Sequence, residues 1–275
     1  MRLHAVTRRY IDRLHDVPGF FDPLDADFFS TLADAQRAAG IRGDLLEIGV
    51  WYGRSAILLG YLVGEGETLH VSDLFEQPPP TESGRLEFAE SNVAPLRRRD
   101  FEAWFRFFHE RLPVIHEGPS SSLSVGSLGA RRFRFVHVDG SHTLENVRHD
   151  ITLARELVAT NGVVAFDDFA NVGHLGVAAA LWPALADGEL EPFACSPAKL
   201  YTTLDRECAD DYRRAVEDVA SRSGLRLRTI ELGESRVLAV WPSNPRRSLP
   251  ARIAGRVRRE RARRAVRRLA SHVER

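Results

Sequence analysis

Short apolar runs alternate with helical patterns through the middle of the chain. Five runs, rich in Val, Ile, Leu and Phe, predict strands over residues 44–50, 68–74, 112–118, 133–139 and 162–168. Between them, apolar residues recur at three- and four-residue spacing, as in NVRHDITLARELVA, and this spacing predicts helices. Apolar strands that alternate with helices are typical of a parallel sheet covered on both faces. The pattern therefore predicts an α/β fold with a mostly parallel sheet.

Two segments interrupt or precede this alternation. Residues 1–40 predict an N-terminal helical segment. Residues 76–111 form an insertion whose aromatic stretch, FEAWFRFFHE, predicts a helix that belongs either to the core or to a lid or oligomer surface. The main domain spans residues 41–243 and ends with a strand near AKLYTTL, a helix, and an antiparallel pair over LRLRTIELGESRVLAVW.

The last segment, residues 244–275, predicts an Arg-rich helical tail. It holds twelve Arg and two Glu, whereas the whole chain has a formal net charge of +0. The tail either contacts an anionic surface or a partner, or is a solvated helix enriched in Arg because this chain uses Arg in place of Lys. Lys199 is the only lysine. The balanced net charge gives no reason to expect specific binding of nucleic acid.

Composition and cysteine content favour a cytoplasmic protein. The 275 residues, 44% of them hydrophobic, suit one large domain with appendages. Cys195 and Cys208 are expected to be free thiols in a reducing compartment. No apolar run approaches the roughly 18 residues of a membrane span, and the N-terminus lacks the apolar stretch of a secretory signal.

Acidic residues follow or end each of the five predicted strands. Ligands of such sheets bind at the carboxyl ends of the strands. We therefore expect one ligand-lined rim, formed by Glu47, Asp73, Glu117, Asp139, and the pair Asp167 and Asp168.

The stretch LLEIGVWYGRSAILL is the most specific motif. Its glycines, Gly49 and Gly53, let the backbone approach a ligand at a strand-to-helix turn. The spacing is neither the G-x-G-x-x-G of dinucleotide-binding folds nor a nucleotide P-loop. The stretch resembles the first motif of class I S-adenosylmethionine (SAM)-dependent methyltransferases, and Ser55 resembles the version in metal-dependent O-methyltransferases. This resemblance implies a Rossmann-like, mostly parallel seven-stranded sheet with helices on both faces and an antiparallel closing strand.

The resemblance also implies the cofactor-binding residues. The glycine turn contacts the methionine part of SAM, an acid after the second strand binds the ribose hydroxyls, and HEGPSSSL lies where the family contacts adenine. For Glu47, a turn-stabilising role is the alternative. The residues implied are Glu47, Gly49, Tyr52, Gly53, Ser55, Asp73, Glu117, Gly118, Ser120 and Asp139.

Three carboxylates at two neighbouring strand ends predict a metal site. Adjacent strands lie about 5 Å apart, so Asp139, Asp167 and Asp168 would repel one another unless a hard divalent cation such as Mg²⁺ neutralises them. The pairing VDGSH…AFDDF resembles macrocin-type O-methyltransferases and cephalosporin-hydroxylase-like proteins (methyltransferase family 24) over roughly residues 40–170, and implies the same three ligands. The alternative is that Asp168 caps the next segment and Asp139 makes a turn.

Asp139 and His142 are the candidate catalytic residues. His142 follows Asp139 by three residues and is a candidate general base, since histidine titrates near neutral pH. The alternative is a helix-start residue that is hydrogen-bonded to a turn. His137 and His149 are expected to be structural or exposed. Lys199 either approaches the substrate or a carboxylate, or is retained by chance.

These features together predict a SAM-dependent O-methyltransferase, assisted by Mg²⁺, that methylates a hydroxyl of a sugar or hydroxylated small molecule. A homo-oligomer is expected. One alternative is a nicotinamide-dependent oxidoreductase, which the missing G-x-G-x-x-G disfavours. The other is a non-catalytic SAM-fold binding or assembly protein that acts through its tail, and the intact rim disfavours it.

Overall fold

The computed structural model describes residues 2–91 and 96–243, so the predicted Arg-rich tail lies outside the described residues. The strands are β1 (Asp44–Ile48), β2 (Leu69–Asp73), β3 (Val114–Glu117), β4 (Phe133–Val138), β5 (Val158–Phe166), β6 (Glu191–Cys195), β7 (Leu200–Thr203), β8 (Arg226–Leu232) and β9 (Ser235–Trp241). The helices are α1 (Arg2–Asp12), α2 (Pro23–Ala38), α3 (Arg54–Leu62), α4 (Glu82–Glu90), α5 (Arg98–Phe108), α6 (Val125–Leu128), α7 (Leu144–Leu157), α8 (Leu175–Ala186) and α9 (Arg206–Arg222). Short 3₁₀ helices cover Leu14–Asp16 and Ser120–Ser122.

The described strands form one sheet in the order β3-β2-β1-β4-β5-β7-β6-β9-β8. Strands β1 to β5 are parallel to one another, and β7 runs antiparallel to both β5 and β6. The predicted α/β class and the mostly parallel sheet are confirmed. The sheet has nine strands rather than the expected seven, because the hairpin β8–β9 extends it beyond β6.

Two hydrophobic cores cover the two faces of the sheet. Successive side chains of β1 point to opposite faces of the sheet. Leu45 belongs to the core that includes residues of α1, α2, α3, α5 and α9. Leu46 belongs to the core that includes residues of α6, α7 and α8. The predicted N-terminal helical segment is therefore part of the main core. The aromatic helix α5 buries Phe101, Trp104 and Phe105, which favours the core over a lid. No helix in the described part of the chain is long and apolar enough to cross a membrane.

Arg54 attaches the N-terminal segment to the start of α3. Its buried guanidinium donates hydrogen bonds to the main-chain oxygens of Val17 (2.8 Å) and Phe21 (3.2 Å). Tyr10 in turn donates its hydroxyl to the main-chain oxygen of Arg54 at 2.6 Å. A buried guanidinium is stable only when its donors are satisfied, so these carbonyls hold the segment beside the turn that precedes α3.

The backbone hydrogen bonds of the sheet continue into the loops at its carboxyl edge. The first residues after the strands donate across to neighbouring strands: Gly49 to Ser72 at 2.8 Å, Asp139 to Ile48 at 2.8 Å, and Asp167 to Val138 at 2.9 Å. Because β1 to β5 are parallel, their carboxyl ends meet at one edge. The acidic strand ends therefore lie along one edge of the sheet, and the binding of a ligand at this edge stays a prediction.

Candidate active site

The turn between β1 and α3 requires glycine at two positions. Gly49 and Gly53 have φ values of +83° and +87°, which side chains with a Cβ rarely adopt. A Cβ on Gly49 would overlap the carbonyl oxygen of Asp139 and lie 2.8 Å from the Cα of Gly140. A Cβ on Gly53 would lie 2.9 Å from the ring of Phe101. The glycine turn is therefore packed directly against the end of β4.

Glu47 lies beneath this turn and is fully buried. Its Oε1 accepts a hydrogen bond from the Ser55 hydroxyl and lies 2.7 Å from His137 Nδ1. Its Oε2 has no hydrogen-bond partner among the described residues. Burial raises the pKa of Glu47 to about 8, although the Ser55 hydroxyl acts in the opposite direction. Buried polar atoms are rarely left unpaired, so Oε2 is available to a polar ligand group.

Asp73 ties the glycine turn to the end of β2. Its Oδ2 accepts N–H bonds from Val50 (2.8 Å) and Trp51 (3.2 Å), and its Oδ1 accepts one from Phe75 at 2.8 Å. Burial raises the pKa of Asp73, while these N–H donors lower it. A carboxylate has about four acceptor sites, so Asp73 shapes the turn and keeps some capacity for a ligand hydroxyl.

The other residues predicted for the cofactor lie around the β3 end and the turn. Glu117 forms an ion pair with Arg98 of α5, with Oε2 3.0 Å from Nη1. Gly118 donates its N–H to the main-chain oxygen of Asp73 at 2.9 Å, and Ser120 begins the following 3₁₀ helix. Tyr52 is half-buried in the glycine turn, and burial raises its pKa. These contacts place Gly118 beside Asp73, whereas Glu117 is engaged with the insertion.

Asp150 of α7 lies behind this region with its side chain buried. Its Oδ1 has no hydrogen-bond partner among the described residues, and burial raises its pKa to about 6, against the opposing effect of Ser120. The folded state therefore favours the neutral acid. Stability from this group is fully present below the ordinary Asp pKa of about 3.9 and is lost as pH rises through about 6.

We expect Asp150→Asn to raise the free energy of unfolding at pH 8 by about 1–3 kcal/mol, because a neutral amide replaces a buried charge. At pH 4 the gain should largely disappear. Urea unfolding at the two pH values measures the difference. The exposed Asp218→Asn on α9 is the matched control and should change stability at neither pH; a gain of equal size at both pH values would contradict the prediction.

A fully buried lysine faces the carboxylates at the ends of β4 and β5. Carboxylate oxygens of Asp139 and Asp167 lie within 4.8 Å of each other, and burial followed by the charge of Asp167 raises the pKa of Asp139 well above its ordinary value. Lys199 Nζ lies 2.8 Å from Asp167 Oδ1, and the lysine side chain is only 1% exposed. Burial acts to raise the pKa of Asp167, but Lys199, His137 and Asp139 together outweigh it and the net shift is downward. The ammonium therefore neutralises this pair.

The position of Lys199 follows from the pairing of β5 with β7. Phe166 pairs with Leu200, so Lys199 stands beside Asp167 at the strand end. Its Nζ also lies 5.4 Å from the ring centre of Phe21. Of the two interpretations of this single lysine, contact with a carboxylate is confirmed.

Asp168 belongs to a separate cluster with His142. Asp168 Oδ2 lies 3.0 Å from His142 Nε2, and Glu87 Oε1 lies 2.7 Å from His142 Nδ1. Burial alone would lower the pKa of His142, but the neighbouring carboxylates of Asp168 and Glu87 raise it to about 10. His174 joins this group, with its Nε2 3.9 Å from Asp168 Oδ2. Sequence reasoning missed Glu87 and His174, because their approach to His142 depends on the insertion and on the loop before α8.

This arrangement does not fit a magnesium site made of three carboxylates. Asp139 and Asp167 come together, with His137 as the third nearby donor. Lys199 already supplies the positive charge there, and a second cation beside it would be repelled. Asp168 faces the histidines instead. Magnesium binding by the three Asp residues stays a prediction.

Comparison with known families is consistent with this geometry. Residues 46–169 match a family model described as a methyltransferase domain. These residues are a methyltransferase domain. The match confirms the predicted family and class of enzyme, and every residue predicted for the methyltransferase site lies within the matched range.

Several solved structures are similar to this chain, and the first of them shows the same fold. The O-methyltransferase NovP has a TM-score of 0.57 and 18% identity, over 67% of this chain and 81% of NovP. CalS11, a TDP-rhamnose 3'-O-methyltransferase of calicheamicin biosynthesis, has a TM-score of 0.45 and 17% identity, over 73% of this chain and 93% of CalS11. MycE, solved with Mg, SAH and mycinamycin VI, has a TM-score of 0.43 and 14% identity, over 73% of this chain and 54% of MycE. No curated protein matches the chain.

Proposed function

We propose that this methyltransferase transfers a methyl group from SAM to a hydroxyl group of a sugar or of a hydroxylated small molecule. The observation that carries the proposal is the glycine turn, in which Gly49 is packed against Asp139 while Asp73 holds the neighbouring backbone N–H groups. This turn lies within the matched methyltransferase domain. It places main-chain atoms, rather than side chains, along the carboxyl ends of β1, β2 and β4.

The residues around the turn fit SAM. The unpartnered Oε2 of Glu47 and the remaining acceptor capacity of Asp73 are suited to the amino and hydroxyl groups of the cofactor. Gly118, hydrogen-bonded to the main chain of Asp73, continues the same edge. When bound, SAM supplies a methyl group on a sulfonium centre that is already strongly electrophilic. The protein then has to hold the acceptor oxygen in line with the methyl group that is transferred.

The acceptor side is formed by the polar groups around His142. The side chains of His142, Glu87 and Asp168 are 21%, 25% and 24% exposed, so they are accessible from solvent. Charged donors and acceptors of this kind suit a hydroxylated acceptor. Transfer to oxygen also agrees with the O-methyltransferase NovP, which shares the fold.

The carboxylates of Glu87 and Asp168 affect the protonation of His142. Each ring nitrogen faces a carboxylate oxygen, at 2.7 and 3.0 Å, which favours the protonated ring. Both ring N–H groups are then directed at carboxylates, so His142 can donate a hydrogen bond to an acceptor oxygen only after the acceptor displaces Glu87 or Asp168. The predicted role of His142 as general base requires the acceptor to displace Glu87 or Asp168 first.

Calorimetry with S-adenosylhomocysteine tests the proposal. We expect one molecule to bind per chain and NAD to show no binding. Binding of NAD without S-adenosylhomocysteine would replace the proposal with an oxidoreductase. Binding of S-adenosylhomocysteine, followed by no methyl transfer from labelled SAM to a broad panel of sugars and hydroxylated small molecules, would favour the non-catalytic alternative.

A further inference from the structure

A second group of metal-binding side chains lies at the mouth of the site. Glu87 of α4, His142 after β4 and His174 before α8 each offer a donor atom, and these atoms lie within 4.8 Å of one another. The three residues come from separate parts of the chain. Close packing brings the last two together: a Cβ on Gly176 would lie 2.8 Å from the backbone nitrogen of Leu144.

Hydrogen bonds hold the carboxylate of this group in place. Glu87 Oε1 accepts the backbone N–H of His142 at 2.8 Å, and Glu87 Oε2 accepts the Ser141 hydroxyl at 2.7 Å. Both oxygens of Glu87 are thus fixed by the turn that carries His142. Metal-binding carboxylates are commonly oriented by hydrogen bonds of this kind.

Asp168 lies beside both histidines. Its Oδ2 lies 3.0 Å from His142 Nε2 and 3.9 Å from His174 Nε2, while its Oδ1 accepts a hydrogen bond from Asn171 Nδ2 at 2.8 Å. A histidine that binds a metal through one nitrogen usually donates its other N–H to a carboxylate, which fixes the ring and its tautomer. Asp168 is placed to do this for His142.

We propose that Glu87, His142 and His174 bind a divalent transition metal such as Zn²⁺, Co²⁺ or Mn²⁺, with Asp168 orienting the histidines. Two imidazoles and one carboxylate suit these ions, whereas Mg²⁺ prefers oxygen ligands alone. The carboxylates of Glu87 and Asp168 balance the charge of a divalent ion. The side chains of Glu87, His142 and His174 are 25%, 21% and 34% exposed, so an ion can enter from solvent.

This site is distinct from the three aspartates predicted from sequence. At the ends of β4 and β5, Lys199 lies 2.8 Å from Asp167 and disfavours a further cation. In the described residues around Glu87, the charged partners of the cluster are the carboxylates and histidines themselves. The two clusters therefore differ in both charge and donor type.

Metal titration of the full chain, stripped with a chelator and desalted, tests the site without any assay of methyl transfer. Calorimetry should show one Zn²⁺ or Co²⁺ per chain and much weaker binding of Mg²⁺. Bound Co²⁺ should give visible absorption typical of nitrogen and oxygen ligands in low coordination number. We expect Asp168→Asn to weaken binding about 10- to 100-fold, and His174→Gln and Glu87→Gln by at least as much.

Two control variants separate the clusters. His149→Ala, an exposed histidine of α7, and Asp139→Asn should both leave Zn²⁺ and Co²⁺ affinity within about twofold of the unmodified chain. Thermal melting checks that each variant folds, and Glu87→Gln and His174→Gln serve as independent tests because both positions are partly exposed. Absence of Zn²⁺ and Co²⁺ binding by the folded unmodified chain would overturn the proposal. So would binding that survives His174→Gln and is lost in Asp139→Asn.

Discussion

Gly49→Ala is expected to abolish binding of S-adenosylhomocysteine and to lower the free energy of unfolding by about 2–5 kcal/mol, the sum of left-handed backbone strain and overpacking. The added Cβ would overlap the carbonyl oxygen of Asp139 and lie 2.8 Å from the Cα of Gly140. Both obstacles are backbone atoms, so no flexible side chain can move aside. Either the glycine turn or the end of β4 must shift, and both belong to the proposed cofactor site.

Gly66→Ala is the matched control for this prediction. Gly66 also has a positive φ, +76°, but a Cβ there would meet nothing within 4 Å. Only the backbone strain remains, so we expect a loss of about 1 kcal/mol and unchanged binding of S-adenosylhomocysteine. Urea unfolding and calorimetry measure both variants. Equal effects of the two substitutions would show that the contact between the turn and β4 is unimportant.

Lys199→Met is expected to lower the free energy of unfolding at pH 7 by about 3–5 kcal/mol, the usual effect of removing one partner of a buried ion pair. The substitution keeps an unbranched side chain of similar length, so packing changes little. It leaves Asp167 buried beside Asp139 without the ammonium that lies 2.8 Å away in the folded chain. The loss comes from this uncompensated charge.

A second substitution tests the cause of that loss. Adding Asp167→Asn to Lys199→Met should recover much of the stability, because a buried pair replaced by neutral groups is often tolerated. Arg214→Met removes the exposed partner of Asp211 and should change stability by less than about 1 kcal/mol. Denaturant unfolding of the variants gives all three values. A loss below about 1 kcal/mol for Lys199→Met alone would contradict the buried pair.

The five parallel strands and the rim were predictable because their signal is local. Apolar runs such as DLLEI and FRFVHV are buried at every position, and each is followed by a polar or glycine residue at the sheet edge. Strand β6 was missed, because EPFAC is short and contains Pro192. The family resemblance lies in the same local segments, from the glycine turn to Asp168.

The contacts of Asp167 and Asp168 could not be predicted from their positions in the sequence alone. Asp167 continues the hydrogen bonding of β5, but the chain leaves the extended conformation at the next residue. Asp168, with a φ of +57°, therefore contacts the histidines rather than Asp139. The contacts of His142 also depend on tertiary packing. Glu87 lies 55 residues before His142, in an insertion helix whose sequence gives no sign of this contact.

Arg54 joins the glycine turn to the N-terminal segment. It follows Gly53 directly, and its planar guanidinium holds the carbonyls of Val17 and Phe21. Because the fork geometry of a guanidinium is rigid, these hydrogen bonds fix the position of residues 17–21 relative to the turn. Phe20 lies between Val17 and Phe21 in the chain, and its largely exposed ring is 6.2 Å from that of Trp51 in the turn. The N-terminal segment is thus attached to the glycine turn at two places, the Arg54 guanidinium and this pair of rings.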